Sequence, residues 1–125
     1  MTHDDGFVEY ICELLLPLGE AQGRPMFGGF GVYLDGLMIG LVIDGGFFLK
    51  ADDLSKDKFL AAQCEPFVYH GQEKPITMNY WSVPAAALES ESEMEPWALL
   101  AIGAAERKAS AAKLEHRAEP RRARR

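Results

Sequence analysis

The run Phe27-Gly28-Gly29-Phe30-Gly31-Val32-Tyr33, entered through Arg24-Pro25-Met26, limits what this chain can fold into more than any other stretch. Three glycines in four positions, set among aromatics, require a backbone that bends, takes positive φ or approaches another backbone closely while the rings still find a packing site. A turn alone would not need that. Gly28, Gly29 and Gly31 are therefore read as a structural motif. Downstream, Asp35-Gly36 and Asp44-Gly45-Gly46 separate apolar runs. Asp-Gly at such a place favours a tight primed turn, since glycine accepts positive φ at no steric cost. Strands over 25–28, 31–34, 37–43 and 47–51 are expected to follow one another as an antiparallel meander. The run 37–43 is apolar at both alternating sets of positions, which predicts a central strand covered above and below. Gly40 within it marks a bulge or a place where a helix packs close.

Helices are expected around this meander. Asp4 or Asp5 caps a first one, whose inner face is Phe7, Tyr10, Ile11, Leu14, Leu15 and Leu18, and Pro17 and Gly19 end it. Residues 20–24 read as a polar bend. Asp52 or Asp53 caps a second, short helix with Leu54, Phe59 and Leu60 inside, ending before Pro66. Two more strands follow, over 67–69 and 77–83, joined by a polar loop from His70 to Pro75. Ser90-Glu91-Ser92-Glu93-Met94-Glu95-Pro96 is a strong helix start. Its inner face is Met94, Trp97, Leu100, Ala101 and Ala104 or Ala105, and propensity carries it to about Arg117. The fold class is α+β: an antiparallel sheet of five or six strands with helices packed on it, in the order helix, three or four strands, helix, two strands, helix.

The glycine stretch, Tyr33-Leu34-Asp35-Gly36, the run 40–50, Pro66-Phe67-Val68-Tyr69, Met78-Asn79-Tyr80-Trp81 and Trp97 together resemble the TfoX-like N-terminal domain family of bacterial competence regulators, over about residues 7–106. The resemblance implies the same element order, and by analogy of fold an arrangement like that of secretion chaperones. In longer members of the family a second domain follows, so a complete transcription-regulator role is not expected of this stretch alone.

Length allows one domain with a sizeable core. The acidic start Met1-Thr2-His3-Asp4-Asp5 and the lack of a long apolar run argue against export or a membrane span, which makes the cytoplasm the expected location. Of 13 basic and 19 acidic side chains, eight and two fall in residues 107–125, leaving five and seventeen in residues 1–106. The reading is thus an acidic body, 1–106, followed by a basic helical extension and tail, 107–125. Within the tail, Arg121, Arg122, Arg124 and Arg125 are the candidate nucleic-acid contacts, expected to be weak and non-specific because the body repels a polyanion.

Chemistry finds little support. The glycine stretch lacks both the GxGxxG order and the Lys-Ser/Thr of a phosphate loop. His3, His70 and His116 are scattered, and Cys12 and Cys64 have no CxxC spacing, so neither a metal site nor a disulfide is expected. No catalytic residue and no cofactor is assigned. The candidate binding residues are Arg24, Met26, Phe27, Tyr80 and Trp81. Arg24 is the only arginine before Arg107, and it is expected to meet a carboxylate or a ring. Tyr80 and Trp81 point to opposite faces of their strand, so either one ring faces outward beside Arg24 or both are covered. The expected function is a non-enzymatic cytoplasmic domain acting by protein interaction, with control of transcription or competence implied by the resemblance and a homodimer among its partners. The alternative is a small enzyme or ligand-binding domain with a pocket between the sheet and the first helix, near Arg24.

Overall fold

The structure, a computed structural model, describes residues 4–26, 28–70 and 75–123, with side chains for 5–26, 28–70 and 75–113. It is α+β, as the pattern predicts. The helices are α1 (Asp4–Leu14), α2 (Lys56–Ala61) and α3 (Glu91–Ala123). The strands are β1 (Ala21–Met26), β2 (Gly29–Leu34), β3 (Leu37–Ile43), β4 (Gly46–Lys50), β5 (Pro66–His70) and β6 (Pro75–Ser82). They form one antiparallel sheet in the order β1-β2-β3-β4-β6-β5.

Both Asp-Gly pairs make the primed turns expected of them, with φ of 51° and 82° at Asp35 and Gly36 and of 53° and 77° at Asp44 and Gly45. The predicted bend over 20–24 is instead the first part of β1. Its exposed residues carry no apolar alternation to announce a strand, and only pairing with β2 makes it one. β3 is the central strand predicted, buried from Ile39 to Ile43. Its partners shift register between Val32 and Tyr33, so Ile39 is an extra residue opposite β2. This bulge turns both Ile39 and Gly40 toward the same side. A Cβ at Gly40 would lie 2.8 Å from the Phe48 carbonyl oxygen and 2.9 Å from the Phe47 ring, so the glycine makes room for the neighbouring strand β4 and not for a helix.

All three helices contribute to one core on one face of the sheet. α1 supplies Val8, Ile11 and Leu14, with Leu15 directly after it, the sheet supplies Val32, Ile39, Val42, Phe47 and Leu49, and α3 supplies Met94, Ala98, Ala101 and Ala105. Ile11, Leu15, Ile39, Leu49, Phe59 and Met94 are completely buried, each contributing about 1.5–3 kcal/mol relative to exposure. The alanines let α3 approach the sheet closely, while Trp97 and Leu100 pack half-buried at its flank. Three expected core residues lie elsewhere. Tyr10 is exposed on α1, and its hydroxyl donates to the Leu88 carbonyl. Leu54 and Leu60 are 73% and 54% exposed, because α2 is only six residues long and turns Phe59 alone inward. Ser90 caps α3 as predicted, its Oγ accepting the Glu93 N–H at 3.2 Å. The helix runs past Arg117 to Ala123.

Contacts with the body also pass residue 106. Arg107 Nε donates to Asp52 Oδ2 at 2.6 Å and its Nη2 to Oδ1 at 2.9 Å. The same carboxylate accepts the Leu54 and Ser55 N–H groups, while Ser55 Oγ accepts the Asp52 N–H at 3.0 Å. The N-cap position of α2 is Ser55, so neither expected residue occupies it, but Asp52 closes the turn that leads into α2, and Arg107 pins that turn to α3. The guanidinium's hydrogen bonds, followed by those of Ser55 and Leu54, hold the Asp52 carboxyl below its ordinary value. A carboxylate depressed in the fold stabilises above its unfolded value, about 3.9, and that stability is lost as pH falls through the folded value. Asp52→Asn should therefore melt below the wild type at neutral pH, the two curves converging as pH drops through that window. Parallel curves across the window would mean that the pair adds nothing to folding.

Candidate functional site

The sheet face away from the helices is apolar and strongly curved. Met26 lies on β1 and Phe67 and Tyr69 on β5, the two edge strands, yet all three line one cavity. In a flat six-stranded sheet those edges would stand about 24 Å apart. The curl follows from irregularities in two strands: the bulge in β3, and a register shift in β6, where Trp81 pairs with Pro66 but Thr77 with Val68. The bend brings the β5–β6 hairpin inward, so that Phe67 of β5 packs on Phe48 of β4 with centroids 5.1 Å apart. The enclosed volume is about 150 Å³, with walls that also include Leu41, Ile43, Ile76 and Met78. That is about the size that holds a benzene ring. Leu41 and Ile43 are buried, whereas Tyr69 and Ile76 are 38% and 55% exposed at its margin.

Beside the apolar part, the same face carries two cations over two phenols. The Arg24 guanidinium sits 4.5 Å above the Tyr33 ring, so of the two kinds of partner expected for it, a carboxylate or a ring, it meets a ring. Lys50 Nζ lies 4.7 Å above the Tyr80 ring. Burial lowers the pKa of Lys50 and raises that of Tyr80.

Of the predicted binding residues, Arg24, Met26 and Tyr80 share this face, with Tyr80 buried beneath Lys50. Phe27 lies outside the described residues. Trp81 is on the opposite face, packed on Phe59 at 6.4 Å in the helix-side core, so both rings of the pair are covered. Its Nε1 is buried with no acceptor among the described residues. Arg121 and Arg122 lie in α3 with side chains outside the described set, and Arg124 and Arg125 lie wholly outside it.

The glycines divide by role. Gly28 takes φ of 79° in the β1–β2 turn, while Gly29 and Gly31 sit against neighbouring atoms that leave no space for a Cβ.

The groove expected between α1 and the sheet is present, but Arg24 does not line it. Val8, Cys12, Gly23 and Phe30 form its walls, with Glu9 and Glu13 at the side. Burial, then Glu9, raises the Cys12 thiol pKa, and burial also raises that of Cys64. Neither is poised as a thiolate nucleophile. Cys64 and His70 flank opposite ends of β5, and among the described residues no group of three metal-ligating side chains converges. The cavity residues of β5 and β6 were missed from sequence, although Phe67 with Tyr69 and Ile76 with Met78 and Tyr80 recur at the two-residue spacing of a strand face.

The TfoX N-terminal domain family matches residues 13–105, which hold all six strands of the sheet and all of the helix-side core except Val8 and Ile11. The chain belongs to this family. A curated relative, the DNA transformation protein TfoX1 of Aliivibrio fischeri (strain ATCC 700601 / ES114), is 29% identical over 103 residues. The match covers 82% of this chain and 45% of that protein, so the chain spans less than half of its relative's length. In this TfoX N-terminal domain the glycine stretch lies within the matched region and builds β2, the strand between the exposed edge and the buried β3. No helix among its described residues is long and apolar enough to cross a membrane.

Proposed function

We propose that this TfoX N-terminal domain is a non-enzymatic interaction module acting in the control of DNA transformation, and that it works in the cytoplasm by holding a partner protein on the concave sheet face. The observation that carries the reading is the cavity bounded by Met26, Ile43, Phe67, Ile76 and Met78. Its walls bring apolar side chains together without a set of convergent polar groups, which suits an anchor side chain better than a reaction. At about 150 Å³ it takes one large apolar side chain. The partner segment offers an apolar anchor, matched to the apolar walls of the cavity.

The test uses Ile76→Glu, which puts a charge at the 55% exposed margin of the cavity, and Leu54→Glu, 73% exposed and outside it. We expect Ile76→Glu to lower transformation frequency and partner affinity about tenfold or more, with its melting curve unchanged, and the control Leu54→Glu to behave as the wild type. Equal behaviour of the two variants would remove the cavity as the docking site. Concentration-dependent self-association abolished by Ile76→Glu would show a second copy of the chain in the partner's place.

A further inference from the structure

Where β4 ends against β6 and α3, the chain forms a second pocket, of about 490 Å³, in which charged side chains join the apolar ones. Lys50, Arg107 and Lys108 line it together with Asp52, Asn79 and Tyr80. The single carboxylate is already taken, since Asp52 is held bidentate by Arg107. That leaves Lys50 and Lys108 as surplus positive charge. Among the described residues Lys50 has no carboxylate within ion-pair distance, although the half-exposed Lys56 reaches Asp53 at 3.4 Å. Its ammonium rests on the Tyr80 ring, half-buried, in a body where acidic side chains outnumber basic ones more than three to one. A partly desolvated cation without a counter-ion is costly, and an incoming anion relieves that cost.

We infer that this pocket binds a small oxyanion, a carboxylate or a phosphate monoester, between the ammonium groups of Lys50 and Lys108, with the Tyr80 phenol at its side. Lysines serve such ligands as mobile point charges, and Tyr80, whose pKa burial raises, keeps its hydroxyl proton. A long polyanion is disfavoured, because it would run over the acidic body beyond the pocket, whereas a small anion feels mainly the local cations. The site shares only Met78 with the apolar cavity and does not depend on that cavity's role.

Titration of the full chain with inorganic phosphate, phenyl phosphate, acetate and benzoate, followed by amide chemical shifts, tests this. We expect saturable shifts at Lys50, Tyr80 and Lys108 with one oxyanion class, and the tighter class identifies the headgroup. Lys108→Gln, an exposed change that leaves the core intact, should weaken binding about tenfold, and Lys50→Gln by as much or more. Lys56→Gln should leave it unchanged. Shifts that fail to saturate with all four anions, or binding that survives both Lys50→Gln and Lys108→Gln, would overturn the assignment. So would saturation by a duplex oligonucleotide at physiological salt in preference to all four small anions, for it would make the pocket part of a polyanion surface.

Discussion

Replacing Gly29 by valine should destabilise the domain by about 3 kcal/mol, near the upper end of what overpacking costs. A Cβ at Gly29 would stand 2.3 Å from the Val42 carbonyl oxygen, 2.9 Å from the Ile43 Cβ and 3.1 Å from the Ile43 Cα. Backbone atoms of the central strand cannot move aside without breaking the β2–β3 ladder, so the strain stays in the sheet. Gly31 differs. A Cβ there meets Met26 Sδ at 2.6 Å, Tyr33 Cε1 at 3.1 Å and Met38 Cε at 3.2 Å, and two of those three atoms are ends of flexible thioether chains. Gly31→Ala should cost about 1 kcal/mol, roughly a third as much. For a domain of this size the Gly29→Val loss corresponds to a fall in Tm of about 12 °C. A melt within experimental error of the wild type would mean that β2 and β3 are not packed as described.

A loss of about 3–5 kcal/mol is expected from Phe59→Ala. Phe59 is completely buried, with its ring centroid 5.3 Å from that of Trp97 and 6.4 Å from that of Trp81. It is the one side chain that α2 buries, so the truncation removes the apolar attachment of that helix to both β6 and α3. The two tryptophans it touches are the only ones in the chain, which makes intrinsic fluorescence a direct readout. The variant should show red-shifted emission together with its lower melting point. Unchanged emission in a destabilised variant would place the lost energy elsewhere than in this three-ring contact.

The glycine motif shows how far residue type alone reaches. That Gly28, Gly29 and Gly31 serve the backbone follows from their spacing among aromatics, since no other residue both takes positive φ and leaves a strand face bare. Which serves which need depended on the neighbours. Gly28 forms a turn, Gly29 lies on Val42 and Ile43, and Gly31 makes room for Met26, Tyr33 and Met38. Arg24 is similar. Its isolation in the sequence called for a partner, but Tyr33 became that partner only because β1 pairs Arg24 with Gly31, two residues before Tyr33 on the same strand face.

The α+β order, both Asp-Gly turns, the buried central strand and the capped start of α3 were legible in the residues, because each rests on local geometry: a positive φ, a two-residue alternation or a hydroxyl three residues before an N–H. The first part of β1, residues 21–24, was not, since a polar segment becomes a strand only when a neighbour supplies the other half of its hydrogen bonds. Nor was the site. Met26 and Phe67 are far apart in sequence and belong to opposite edges of the sheet, and only the two register shifts bring those edges around one cavity. Lys50, Asp52, Tyr80 and Lys108 likewise converge only where β4, β6 and the continuing α3 meet. Periodicity reports which face of an element a side chain takes. It does not report which distant face the fold will bend to meet, for that is set by bulges and packing across the whole sheet.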